Sequence, residues 1–221
     1  MSLEILYEDE EILVCHKPSG LPVQTAKLGM MDMESQIKNY LKTSYLAVIH
    51  RLDQPVEGIL VFGKTPFSAK ELGRQLQTSG GFGKYYQAIL CGEPEAAQGI
   101  LEDYLVKDAR SNTSRVCERT DAGAKRARLF YEVVETFEHR GERYSLVNIR
   151  LETGRHHQIR VQMAHRGCPI WGDAKYGNRE SLSGSWQKIA LCAYRLEFIH
   201  PKTKKPMMFE VRGLDKSLIF Q

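Results

Sequence analysis

The chain of 221 residues reads as one α+β domain built on a large, mostly antiparallel sheet with a few helices on its faces. Three observations predict this. Strand-like segments outnumber helical ones and crowd the second half of the sequence. No repeat, low-complexity tract or linker divides it, so residues 1–221 form a single domain. The composition, 42% hydrophobic and 26% charged, suits an ordinary core.

Each element has a local reason. Leu3–Tyr7 and Ile12–Cys15 are short strands around the acidic turn Glu8-Asp9-Glu10-Glu11, and they close on the loop Lys17-Pro18-Ser19-Gly20-Leu21-Pro22. Glu34–Leu41 places Ile37, Tyr40 and Leu41 at helical spacing. Gly58-Ile59-Leu60-Val61-Phe62 begins an apolar run of strand length. Thr65 then offers an N-cap with Pro66 at the first helical position, and Phe67, Leu72 and Leu76 continue the helix until Thr78-Ser79-Gly80-Gly81.

Strand composition returns at Tyr85–Leu90, Ile100–Val106, Arg128–Phe137, Tyr144–Leu151, Ile189–Ile199 and Met207–Val211. Near-alternation in Phe130–Val134 and Tyr144–Ile149 marks half-buried antiparallel strands. The polar segment His200–Pro206 joins the last pair as a hairpin, and Gly92–Gln98 and Arg179–Ser185 are polar loops. Helical spacing recurs only at Gln158–Arg166, which Gly167 stops.

No apolar stretch reaches the roughly twenty residues of a membrane span, and the first residues lack the order of a signal peptide. Five scattered cysteines, never spaced C-x-x-C, point to free thiols in a reducing cytoplasm rather than a disulfide framework or structural zinc. The net charge of +4 is unevenly spread. Residues 1–106 carry 9 Lys/Arg against 14 Asp/Glu, whereas residues 107–212 carry 21 against 12. A basic face of this kind suits a polyanion, although a solvated surface explains it as well.

The densest chemistry lies in His50-Arg51-Leu52-Asp53, followed by Gln54-Pro55 and the apolar strand. Read as structure, Asp53 caps the turn by accepting backbone N–H groups. Read as function, it is an ionised carboxylate on a constrained loop, a ready nucleophile or base beside Arg51. Glu57 is a second carboxylate nearby, though Pro55 prevents a helix from setting the spacing.

A second cluster is Thr153-Gly154-Arg155-His156-His157-Gln158-Ile159-Arg160. As structure it caps a helix beginning near His156; as function its helix N-terminus and arginines form an anion site. The paired histidines have no established ligand spacing, so no metal is expected. In Lys84-Tyr85-Tyr86-Gln87-Ala88, alternation sends the two tyrosines to opposite faces, one to the core and one to a cleft where a ring can stack on a base.

Taken together these segments resemble the RluA family of pseudouridine synthases. The likeness covers Lys17-Pro18-Ser19-Gly20, His50-Arg51-Leu52-Asp53, Lys84-x-Tyr86-x-Ala88, the Thr153–Arg160 cluster, Pro169-Ile170-x-Gly172-Asp173-x-x-Tyr176-Gly177 and His200-Pro201, in that order. The resemblance implies a central mixed, largely antiparallel sheet with the active site in its cleft. It also implies isomerisation of a uridine in rRNA or tRNA to its C-glycoside, with no metal and no cofactor. Asp53 matches the catalytic aspartate, Tyr86 the tyrosine packed on the target base and Arg160 the arginine paired with the aspartate.

Arg51 matches the side chain that enters the RNA stack once the uridine has flipped out, a step the buried ring requires. His50, Lys84, Arg155, His157 and Gln158 lie in the same motifs and are expected to contact RNA. The chain departs from the family at Val56-Glu57-Gly58, where Thr-Ser-Gly is common, and at Gln162 and Cys192, where histidine is usual. With Asp53 so near Met1, no S4-like RNA-binding domain is expected. The expected protein is a cytoplasmic monomer acting on RNA, not on DNA or a membrane. Two rivals remain: a catalytically silent RNA-binding module, and a nucleosidase or glycosidase using Asp53 with Glu57.

Overall fold

The computed structural model describes residues 3–25, 29–78, 80–177 and 188–218, so the polar segment Arg179–Ser185 lies outside the described residues. Among the described residues are eleven strands and three α-helices, an α+β fold. They divide between two compact units, Met1–Lys84 with Ala193–Arg212 and Tyr85–Cys192 with Gly213–Gln221. The first unit takes segments from both ends of the chain. No linker in the sequence could therefore mark the division.

In the first unit β1 (Glu4–Glu8) and β2 (Ile12–Lys17) form the expected hairpin. Asp9 shapes its turn by accepting from the N–H groups of Glu11 and Ile12 at 2.8 and 2.9 Å. The helix α1 (Met33–Leu41) starts one residue earlier than its spacing suggests, because Asp32 caps it by accepting from Ser35 N–H at 2.7 Å. Then come β3 (Ala47–Val48) and β4 (Glu57–Gly63), which is buried from Gly58 onward. β4 pairs antiparallel with β2, Cys15 opposite Leu60 and Val14 opposite Val61.

α2 (Pro66–Gln77) begins as its sequence predicts, with Pro66 in the first turn and a reciprocal capping box between Thr65 and Ser68. Two later strands, β10 (Leu191–Ile199) and β11 (Pro206–Glu210), close the unit as a hairpin. Its strands run in the order β1-β2-β4-β10, with β11 on β10 and β3 on β4. Ile12, Val14, Ile59, Val61, Leu72, Phe82, Leu196 and Phe198 make the core. Gln75 of α2 bonds the backbone of Ile199 through both amide atoms, at 2.7 and 2.8 Å, and so stands in for a strand partner.

The loop after β10 is polar in sequence, yet His200 is only 2% exposed. Its Nδ1 accepts from the N–H groups of Lys202 and Thr203, so its Nε2 carries the hydrogen and donates to Asp9 at 2.8 Å.

β5 (Phe82–Cys91) leads into the second unit, which holds β6 (Gln98–Asp108), β7 (Thr113–Cys117), β8 (Lys125–His139), β9 (Glu142–Leu151) and α3 (Gln158–His165). The strand order is β5-β9-β8-β6-β7. β6–β7, β6–β8 and β8–β9 are all antiparallel, and β8 is irregular between Val133 and Glu135. β7 has no strand signature of its own. It forms because its backbone completes the ladder of β6, Leu105 facing Val116. Beneath the ladder Leu105, Ala127 and Val161 are buried against Val116 and Tyr176, which seats α3 on the sheet.

Candidate active site

Asp53 sits in the first unit, half-buried, on the loop leading into β4. Its carbonyl oxygen accepts from Val56 N–H at 3.0 Å, which closes the turn at Gln54-Pro55. A second loop grips this one. Ser19 Oγ donates to the Pro55 carbonyl at 2.7 Å, Gln54 Nε2 donates to the Gly20 carbonyl at 3.0 Å and Gly20 N–H donates to the Gln54 carbonyl at 2.9 Å.

At the junction is Lys17, whose side chain is fully buried. Its ammonium donates to the carbonyls of Pro18, Leu21 and Gln54 at 2.9, 2.7 and 3.0 Å. Burial pulls its pKa down to about 8, against the opposing pull of the Asp53 and Glu57 carboxylates. The Lys17-Pro18-Ser19-Gly20 segment was legible as a motif; its buried cation was not. Beyond the loop, Gly58 has a φ of +137°, and a Cβ there would clash with the Ala193 backbone, so only glycine lets β4 start in this place.

The neighbours of Asp53 in sequence have different fates. Arg51 is exposed, as an RNA-facing side chain would be. His50 is half-buried, its ring set edge-on to Phe82 with centroids 5.5 Å apart. Its Nε2 accepts from Val61 N–H at 3.4 Å. Burial, aided by the Lys84 charge, holds its pKa down at about 3. His50 is thus held neutral and packs against Phe82. Lys84 is half-buried at the start of β5.

In the second unit Tyr86 is buried and shares its face of β5 with Ala88. Tyr85, on the other face, lies beneath the guanidinium of Arg150, 6.0 Å from the ring centroid. Arg155 is exposed, and its Nε donates to the Arg126 carbonyl at 2.8 Å. Gln158 is buried: its Oε1 accepts from Thr153 Oγ1 and Arg155 N–H at 2.8 and 3.0 Å, so it builds the turn ahead of α3.

His157 is buried too, in the left-handed region with a φ of 54° at the N-cap of α3, and its side chain makes no cap bond. It stacks on His156 with ring centroids 3.7 Å apart, and its Nδ1 bonds the Tyr176 hydroxyl at 2.8 Å.

Arg160 and Asp173 form a buried pair, with side chains 5% and 0% exposed. Arg160 Nε and Nη2 donate to the two carboxylate oxygens at 2.8 and 2.7 Å. The ring of Tyr176 covers the guanidinium 5.2 Å from its centroid. Asp173 and Tyr176 stand in a motif whose sequence gives them no role, since twelve residues of intervening chain separate Arg160 from Asp173. Gln162, one of the departures from the family, is also buried and donates to Asp103 at 2.7 Å. Of the predicted site residues, His50, Arg51, Asp53 and Lys84 thus share the first unit, while Tyr86, Arg155, His157, Gln158 and Arg160 share the second. Among the described residues no cluster of three or more His, Cys, Asp or Glu is arranged to hold a metal ion.

Comparison with known proteins gives this geometry its context. Residues 11–165 match the sequence model of the family described as RNA pseudouridylate synthase. The chain is 34% identical to ribosomal large subunit pseudouridine synthase D of Buchnera aphidicola, over 94% of this chain and 68% of that protein. It is 30% identical to tRNA pseudouridine synthase C of Vibrio cholerae, over 97% of this chain and 92% of that one. Among solved structures, human RNA pseudouridylate synthase domain containing 1 superposes with a TM-score of 0.81 at 21% identity, covering 98% of this chain and 86% of its own, a likeness of fold. The chain belongs to the RNA pseudouridylate synthase family, in its RluA branch, and is a pseudouridine synthase, an isomerase.

Proposed function

We propose that this enzyme isomerises a specific uridine of ribosomal or transfer RNA, with Asp53 as the catalytic carboxylate. The names of its relatives, one a ribosomal large subunit pseudouridine synthase and one a tRNA pseudouridine synthase, support that substrate class. The observation that carries the assignment to Asp53 is the way its loop is held. Lys17, Ser19 and Gly20 bond the peptide groups of Gln54 and Pro55, so a half-buried carboxylate rests on a rigid support instead of a mobile turn.

The reaction breaks the bond from uracil N1 to ribose C1′ and makes one from C5 to C1′. The proton leaves C5 and N1 gains one, so the atoms balance without redox chemistry or an added group. What the protein must supply is a flipped-out base, a held sugar and a carboxylate that stays ionised. In this reading Tyr86 packs on the target base and Arg160 is an active-site cation. Arg51 fills the stack that the uridine leaves, while Lys84 and Arg155 meet the RNA backbone. His157 and Gln158 serve the same surface indirectly, by shaping the turn that presents Arg155.

The test is to map pseudouridine across total cellular RNA with and without the protein. A site missing in the deletion strain and restored by wild type but not by Asp53→Asn is the expected result. An unchanged map would leave the fold without this activity. Restoration by Asp53→Asn would return the carboxylate to a structural role.

A further inference from the structure

We propose that Asp173 and Tyr176 are positioning residues that orient the Arg160 guanidinium for turnover, an inference that rests on reading Arg160 as an active-site residue. An arginine side chain is long and rotatable, so its planar fork directs a hydrogen bond only if the plane itself is fixed. Here two independent contacts fix it. Asp173 takes the Nε–Nη2 edge in a bidentate bond at 2.8 and 2.7 Å, and the Tyr176 ring covers the guanidinium at 5.2 Å.

Both contacts are themselves anchored. Asp173 Oδ1 also accepts from the N–H groups of Lys175 and Tyr176 at 2.9 and 3.3 Å, while the Asp173 carbonyl accepts from Gly177 N–H at 2.8 Å. The turn depends on Gly172, whose φ is +75° and where a Cβ would lie 2.6 Å from the Lys188 carbonyl oxygen. The Tyr176 hydroxyl accepts from Ser114 N–H of β7 at 2.7 Å and bonds His157 Nδ1 at the start of α3 at 2.8 Å. Ser114 Oγ bonds His156 Nδ1 at 2.9 Å, so the stacked histidine pair is held at both ends.

Stability alone is a weak reason for such an arrangement. A buried ion pair is often no more stabilising than well-packed apolar residues of the same volume. Orientation of a planar donor is what the ion pair supplies and an apolar pair cannot. It also gives the Gly172-Asp173-x-x-Tyr176-Gly177 segment a purpose that its sequence does not reveal.

The experiment uses the full-length protein and total RNA from cells lacking it, and reads kcat and KM separately. Asp173→Asn preserves shape and removes charge; Tyr176→Leu removes the ring and keeps the carboxylate. Each is expected to lower kcat about tenfold or more with KM within about twofold, as a small misplacement of a reacting group does. In the double variant, Asp173→Asn should cost little once Arg160 is already alanine.

Should Asp173→Asn fail to fold, Tyr176→Leu decides, because leucine keeps an apolar side chain against Leu105, Ala127 and Val161. A folded Tyr176→Leu with kcat within about twofold of wild type overturns the clamp. Loss of activity in Arg160→Ala alongside normal turnover in folded Asp173→Asn and Tyr176→Leu overturns the positioning role alone. Full activity of Arg160→Ala overturns the reading of Arg160, and the clamp with it.

Discussion

The Lys17 ammonium lies 3.0 Å from the carbonyl oxygen of Gln54, the residue that follows Asp53, and ties the loop after β2 to the loop before β4. Thirty-seven residues of sequence separate the two. A fully buried lysine is costly unless every N–H is paired, and here three carbonyls receive them.

Lys17→Met should therefore loosen the Asp53 loop. The side chain keeps its bulk, but the Pro18 and Leu21 carbonyls lose this donor, while the Gln54 carbonyl keeps Gly20 N–H. Relief of the buried charge offsets part of the loss, leaving a net destabilisation of about 2 kcal/mol. Chemical denaturation should show the lower midpoint, and kcat should fall more than KM. An unchanged midpoint with unchanged kcat would mean that the loop holds its shape without the cation.

Asp53→Asn should abolish pseudouridine formation while RNA affinity stays equal or improves, because one negative charge leaves a surface that meets a polyanion. Filter binding and pseudouridine mapping on the same preparation separate the two effects. Turnover within about tenfold of wild type would remove Asp53 from the chemistry and revive a role in binding alone.

His50 should make the protein acid-labile. Its pKa is about 3 in the folded protein, below the ordinary histidine value, so between those values the unfolded chain binds the extra proton. Its contribution is fully present above about pH 6.5 and is lost as pH falls toward 3, at no more than about 1.4 kcal/mol per pH unit. Unfolding midpoints measured from pH 7 to pH 4 should fall accordingly. His50→Phe should flatten that slope, and an identical slope in the variant would place the acid sensitivity elsewhere.

Tyr86 separates packing from proton handling. Tyr86→Phe keeps the aromatic face and should bind RNA like wild type, whereas Tyr86→Ala should weaken both binding and turnover. A Phe variant that binds normally but turns over slowly would assign the hydroxyl a proton role. If a folded Ala variant kept both affinity and turnover, Tyr86 would belong to the core alone. Tyr85, on the opposite face of β5, would then be the candidate to test.

Much of this fold is written in local sequence. The apolar run of β4 is buried from Gly58 onward, and the Thr65-Pro66 start of α2 forms its capping box, because both signals act within a few residues. The order of the motifs along the chain likewise carries the family resemblance. By contrast β3 and β7 are short and carry no periodic signal, and they become strands only by completing a neighbour's ladder.

Partner choice was settled by the tertiary structure. Nothing near Lys17 announces that its ammonium ends on Gln54, nothing near Gln75 points to Ile199, and nothing near Asp9 points to His200. His157 and Gln158 lie in a motif expected to contact RNA, and both are buried, where they build the entry to α3. Residue type sets which hydrogen bonds a side chain can make. Which of them it makes depends on the chain segments that burial brings alongside, and those lie too far apart in sequence for any local pattern to record.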